Sequence, residues 1–248
     1  MGLADSITVG TIVFVPLVLL LWFTLRKYAY PYTKYTYFDG QKIMMGIAGG
    51  MVLGLFITIA YRYFPLYMLG YAVIFAIIEE LIRLVILNSP LFQMKFDATF
   101  YGAALGGGTA TMIIAGIAYT SQTNPSIDFW NPGFLGALLA FSVSICLLNI
   151  SNGAMIGYGC GKGIIWTYLL RAVIAHSAFG IALIFFLYPE DAGIFFYISI
   201  AAALAISIAL YIYVYTNIIV NALPERLRKQ RRREMLETAR TVKSEKED

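Results

Sequence analysis

The chain has 248 residues, 60% of them apolar and 13% charged, with a mean hydropathy of +0.74 and a net charge of +4. Soluble domains average about 25% charged residues, so this composition argues against an ordinary water-soluble fold. Apolar runs near 20 residues recur along the chain, the length that crosses about 30 Å of hydrocarbon. They are continuous rather than alternating, which argues against a β-barrel.

The expected fold is all-α: a polytopic bundle of seven transmembrane helices over residues 1–220, followed by a charged tail over 221–248. The first span, 7–25, reads as a retained anchor. No Lys or Arg precedes it, and it is too long for the apolar core of a signal peptide. The tyrosine-rich stretch "YAYPYTKYTYFDG" follows, an aromatic belt at the membrane boundary. The second span, 43–61, contains "GIAGGMVLG", and the third, 66–88, contains "AIIEELIRLVIL". The fourth and fifth, 98–119 and 133–159, are rich in Gly and Ser; the sixth and seventh are 163–187 and 193–217. The tail "PERLRKQRRREMLETARTVKSEKED" reads as a frayed helix whose basic half can lie on anionic headgroups. It abuts a span, so it is not a nucleic-acid signal.

Charge orients the bundle. Arg26, Lys27, Lys34, Lys42, Lys95, Lys162 and the tail fall on one side, while the opposite loops offer only Arg62. The positive-inside rule places the N-terminus outside and the C-terminus in the cytoplasm. Cys146 and Cys160 fall on one predicted helix and cannot pair within it. The single histidine and the lack of a Cys/His cluster imply no metal and no cofactor.

Glu79, Glu80 and Arg83 lie inside the third span. Each such charge at mid-membrane costs about 2.5–3.5 kcal/mol before pairing. At 100° per residue Arg83 sits angularly between the two carboxylates and can pair with either. One reading is a self-neutralised structural ion pair. The other is a site in which one carboxylate is left over and acts as a general base. At 1.5 Å per residue, His176 of the sixth span and Asn149 of the fifth fall in the same layer. In the fourth span Gly102, Gly106 and Ala110 recur at spacing four, with Gly107 and Gly108 beside them. Such a small-residue face takes either a helix of the same chain or a partner's transmembrane segment.

"EELIR", "FDATFYGAALGGGTA" and "NISNGAMIGYGCGKG" resemble, in order and spacing, the three motif regions of the PrsW group of glutamic intramembrane peptidases, within the CAAX-protease superfamily. The layout also resembles the anterior-pharynx-defective subunit of γ-secretase, a scaffold thought to descend from that superfamily. The chain departs from the peptidase pattern at Ile113, where the group has Glu, and at Asn149, where it has His. The resemblance implies a catalytic set of Glu79 or Glu80 as base, His176 as acid and Asn149 at the oxyanion.

Two functions follow. One is an integral membrane scaffold that binds a partner's transmembrane segment along the Gly-rich fourth helix. The alternative is an active glutamic intramembrane peptidase, and proton or ion transport is a minor third. The expected partners are membrane lipid and a partner or substrate helix, not nucleic acid, with oligomerisation left open. The resemblance points to a prokaryotic plasma membrane.

Overall fold

The computed structural model describes residues 3–63, 69–93, 95–125, 127–186 and 193–244. Among these residues the regular structure is helical throughout. The helices are α1 (Leu3–Leu25), continued by a 3₁₀ turn (Arg26–Tyr28), α2 (Gly40–Tyr63), α3 (Leu69–Leu87), α4 (Ala98–Thr123), α5 (Pro132–Lys162), α6 (Ile165–Ala182), α7 (Ile194–Tyr213) and α8 (Glu225–Ser244). α7 runs on through a π-helical turn (Val214–Ile219) and a last short turn (Val220–Ala222).

Among the described residues six segments are long and apolar enough to cross a membrane: Ser6–Tyr28, Gly40–Tyr61, Ala98–Thr123, Pro132–Lys162, Ile165–Ala182 and Ile194–Ala222. They correspond to α1, α2, α4, α5, α6 and α7. The expected third span differs in kind. α3 has 19 residues, about 28 Å of helix, but carries Glu79, Glu80 and Arg83. Its outer side is apolar, with Ile74, Ile78 and Val85 exposed, and its charged side faces inward.

Local chemistry sets the helix ends. α5 begins where the Asn131 side chain accepts from the N–H groups of Gly133 and Phe134, with Pro132 in the first turn, an N-terminal signature. It ends at Gly163, whose φ of 73° suits glycine. The expected sixth span therefore starts two residues early, because Gly163 closes α5 and α6 begins at Ile165. The expected starts and ends at 66–68 and 187, and the loop 188–192, lie outside the described residues.

Glycines set the centre. α4 is the most enclosed span, with 78% of its 18-residue apolar stretch buried, whereas that of α6 has 22%. Cβ atoms on Gly50 and Gly54 of α2 would collide with the Leu105 and Thr109 carbonyls of α4. Both contact positions advance together, so α2 and α4 run parallel. Across the other side, Gly102 meets Gly153 and Gly106 meets the Asn149 carbonyl, while Gly157 meets Ala98. Those pairs advance in opposite senses, so α4 and α5 are antiparallel. α1 covers the remaining face, with Leu17 against Gly107. Such glycine seams bring helix backbones close where apolar burial cannot drive association.

The chain after α7 turns at Leu223 and Pro224 and forms α8, the helix expected there. α8 is tied back to the α1–α2 connection. Glu234 Oε2 accepts from the Lys34 N–H at 3.2 Å and the Tyr37 hydroxyl at 3.4 Å. The Arg231 guanidinium lies 4.4 Å above the Tyr28 ring. Burial and the Glu234 carboxylate hold the Tyr37 phenol above its ordinary pKa.

Candidate functional site, a closed polar layer across four helices

Glu79, Glu80 and Arg83 occupy adjacent turns of α3 and turn toward α5 and α6, because α3 has an apolar side for the outside of the bundle and one charged side. Arg83 is fully buried and bonds both acids: Nη1 to Glu80 Oε2 at 2.5 Å and Nη2 to Glu79 Oε1 at 2.7 Å. Nη2 also donates to Asn149 Oδ1 at 2.6 Å, which ties α3 to α5. The expected leftover carboxylate is absent in its simple form, since the guanidinium reaches both acids.

Glu80 is the more fully bonded of the two. Its Oε1 accepts from Asn152 Nδ2 at 2.7 Å and lies 2.7 Å from His176 Nδ1. With Glu80 ionised, its oxygen accepts and Nδ1 is the donor of this bond. Glu79 is held less tightly. Its Oε2 accepts from the Tyr61 hydroxyl of α2 at 3.4 Å and lies 3.8 Å from His176 Nε2. Glu79, Glu80, Arg83, Asn149 and Asn152 are 2% exposed or less, and His176 is 8% exposed.

The structure thus brings Glu79, Glu80, Arg83, His176 and Asn149 together. Both amide atoms of Asn149 are engaged within the chain. Its Oδ1 accepts from Arg83, and its Nδ2 donates to the Ile145 carbonyl at 3.0 Å. Ile113, at the departure in the second motif, is buried in apolar packing. Arg171 stands apart, bonded to the Tyr213 hydroxyl at 2.9 Å.

The expectation for Gly102, Gly106, Gly107 and Ala110 resolves to internal packing, with α5 and α1 already against the three glycines and Ala110 fully buried. Sequence reasoning missed two members of the polar layer. Asn152 follows Asn149 by three residues in "NISN", which sets both amides on one helix face. Tyr61 carried no local signal, because a tyrosine near a span end reads as a boundary anchor.

One ligand atom each from Glu79, Glu80 and His176 lies within 4.8 Å of the others, a spacing open to a metal. Arg83 already sits 2.5–2.7 Å from both carboxylates, so a divalent ion would share its ligands with a buried guanidinium. The bonding favours an internal salt network over a cation site. Two atoms of the layer, Arg83 Nε and Asn152 Oδ1, are buried without a hydrogen-bond partner. Each such atom costs about 1–3 kcal/mol.

Chemically, the layer holds an Arg-neutralised pair of carboxylates, an imidazole and a tyrosine in contact. It can fix α3 and α6 onto α5, and it offers one proton-accepting oxygen, Glu79 Oε2, with only long contacts. Comparison with protein-family models, curated proteins and solved structures finds no match for the chain.

Proposed function

We propose that this protein is an integral membrane scaffold descended from a glutamic intramembrane peptidase, with the inherited acids converted into structural fastenings. The observation that carries this reading is the closure of the layer. Both glutamates share one guanidinium, Asn149 and Asn152 spend amide groups on it, and the acids are sealed from solvent. A hydrolytic centre needs an acid that water and substrate can reach.

In this reading α3 is a seventh span. The parallel course of α2 and α4 supports it, since the chain must return between them. The N-terminus lies outside and the C-terminus in the cytoplasm of a prokaryotic plasma membrane. α4 is enclosed, so a partner's transmembrane segment would lie against the outer side of the bundle rather than along α4.

One observation favours the alternative, an active glutamic intramembrane peptidase: Glu79 Oε2 has only long contacts, at 3.4 and 3.8 Å. There Glu79 would be the base and His176 the acid. Cleavage of transmembrane peptides by reconstituted wild type and by Glu79→Gln/Glu80→Gln separates the two. The scaffold reading expects equal, background cleavage. Turnover by wild type that disappears in the double variant would establish the peptidase instead.

A further inference from the structure

The end of α7 and the inner side of α8 enclose a groove of about 630 Å³, lined by Val220, Arg228, Lys229, Arg231, Arg232, Met235 and Leu236. Positions 228, 231, 232, 235 and 236 follow the i, i+3, i+4, i+7, i+8 rule, so they share one helix face. That face is divided along its length. Its first half is cationic and its second half is apolar, with Val220 forming the opposite wall. Among the described residues no acidic side chain lines the groove.

The basic residues are placed rather than merely concentrated. Arg228 Nη1 is held by Asn221 Oδ1 at 2.6 Å, a neutral acceptor that leaves the cation uncompensated by that bond. Arg231 is fixed over Tyr28, and its Nε is buried without a hydrogen-bond partner. Lys229 pairs with Glu225 at 2.7 Å in an exposed position, so the arginines carry most of the local charge. Leu236 is 55% exposed although it stands at the apolar end of the groove.

We propose that this groove binds one anionic phospholipid. The headgroup phosphate meets Arg228, Arg231 and Arg232, and the start of an acyl chain lies against Val220, Met235 and Leu236. Charge complementarity and position commit the site to this occupant. The groove opens where a membrane-crossing helix leaves the hydrocarbon, the depth of lipid phosphates. Guanidinium groups give phosphate paired donors, and an apolar floor beside them suits a chain rather than a free anion.

The test uses the full-length protein in nanodiscs of phosphatidylglycerol and phosphatidylcholine, with retained lipid read by native mass spectrometry. Wild type should retain phosphatidylglycerol preferentially. Each arginine near an anionic surface changes affinity roughly fivefold, so Arg228→Gln/Arg232→Gln should weaken retention roughly twenty-five-fold. Arg226→Gln/Arg233→Gln removes the same charge outside the groove and should change retention less than about threefold. Equal losses in the two pairs would reduce the effect to general surface charge and overturn the site. Displacement of the lipid by millimolar glycerol phosphate would show a free-phosphate site and overturn it too. If Arg228→Gln/Arg232→Gln does not fold, Leu236→Glu at an exposed position decides the matter. It should weaken phosphatidylglycerol retention at least tenfold, and unchanged retention would reject the acyl-chain half of the site.

Discussion

The glycine seam around α4 and the polar layer behind α3 do the same job by opposite means. The seam joins α2, α4 and α5 through missing side chains, so that backbones touch. The layer joins α3, α5 and α6 through long charged and amide side chains that span a wider gap. Lipid is as apolar as leucine, so neither junction can rest on apolar burial alone. Close packing and buried hydrogen bonding are what remain. The contrast sets a closely packed centre beside a flank attached by ionic and hydrogen bonds.

The comparison can be broken at its steric end first. Gly106→Val would drive a side chain into the Asn149 carbonyl, and no flexible atom is there to yield. Overpacking of this kind costs about 3 kcal/mol or more, and loss of the monodisperse folded species in mild detergent would register it. Gly136→Ala is the control, since nothing lies within 4 Å of the added carbon. It should raise the unfolding free energy slightly, by up to about 1 kcal/mol, through helix propensity.

At the electrostatic end, Arg83→Met leaves two buried carboxylates without their cation. Breaking a buried pair from one side costs about 3–5 kcal/mol. Adding Glu79→Gln and Glu80→Gln to that variant should restore more than half of the loss. No recovery in unfolding measurements would mean that Arg83 acts by shape rather than charge.

Smaller effects sharpen the division within the layer. Glu80→Gln removes the charge and turns one of two bonded oxygens, Oε2 facing Arg83 or Oε1 facing Asn152 and His176, into an amide donor, and should cost about 2–3 kcal/mol. Glu79→Gln should cost about 1 kcal/mol less, because its second oxygen has only long contacts, with Tyr61 at 3.4 Å and His176 at 3.8 Å. Tyr61→Phe should fall near 0.5 kcal/mol, at the low end for a hydrogen bond. A larger loss for Tyr61→Phe than for Glu80→Gln would invert this order and place the anchor of the layer on α2.

Composition and run length alone determined that the protein is helical and suited to a membrane, because about 20 apolar residues can satisfy their backbone in lipid only as a helix. Helical spacing put Arg83 beside both glutamates, and equal rise per residue put His176 and Asn149 at their depth. Depth carries no rotation, however. Only the packed bundle decided that the imidazole turns to Glu80, that Asn149 accepts from Arg83 and donates to the Ile145 carbonyl, and that Asn152 and Tyr61 complete the layer. Likewise, the sequence marked α4 as a close-packing helix, but a small-residue face is the same whether it meets its own chain or another. The tertiary contacts gave it to α2, α5 and α1, because the matching glycines at positions 50, 54 and 153 lie on α2 and α5 and Leu17 of α1 covers Gly107.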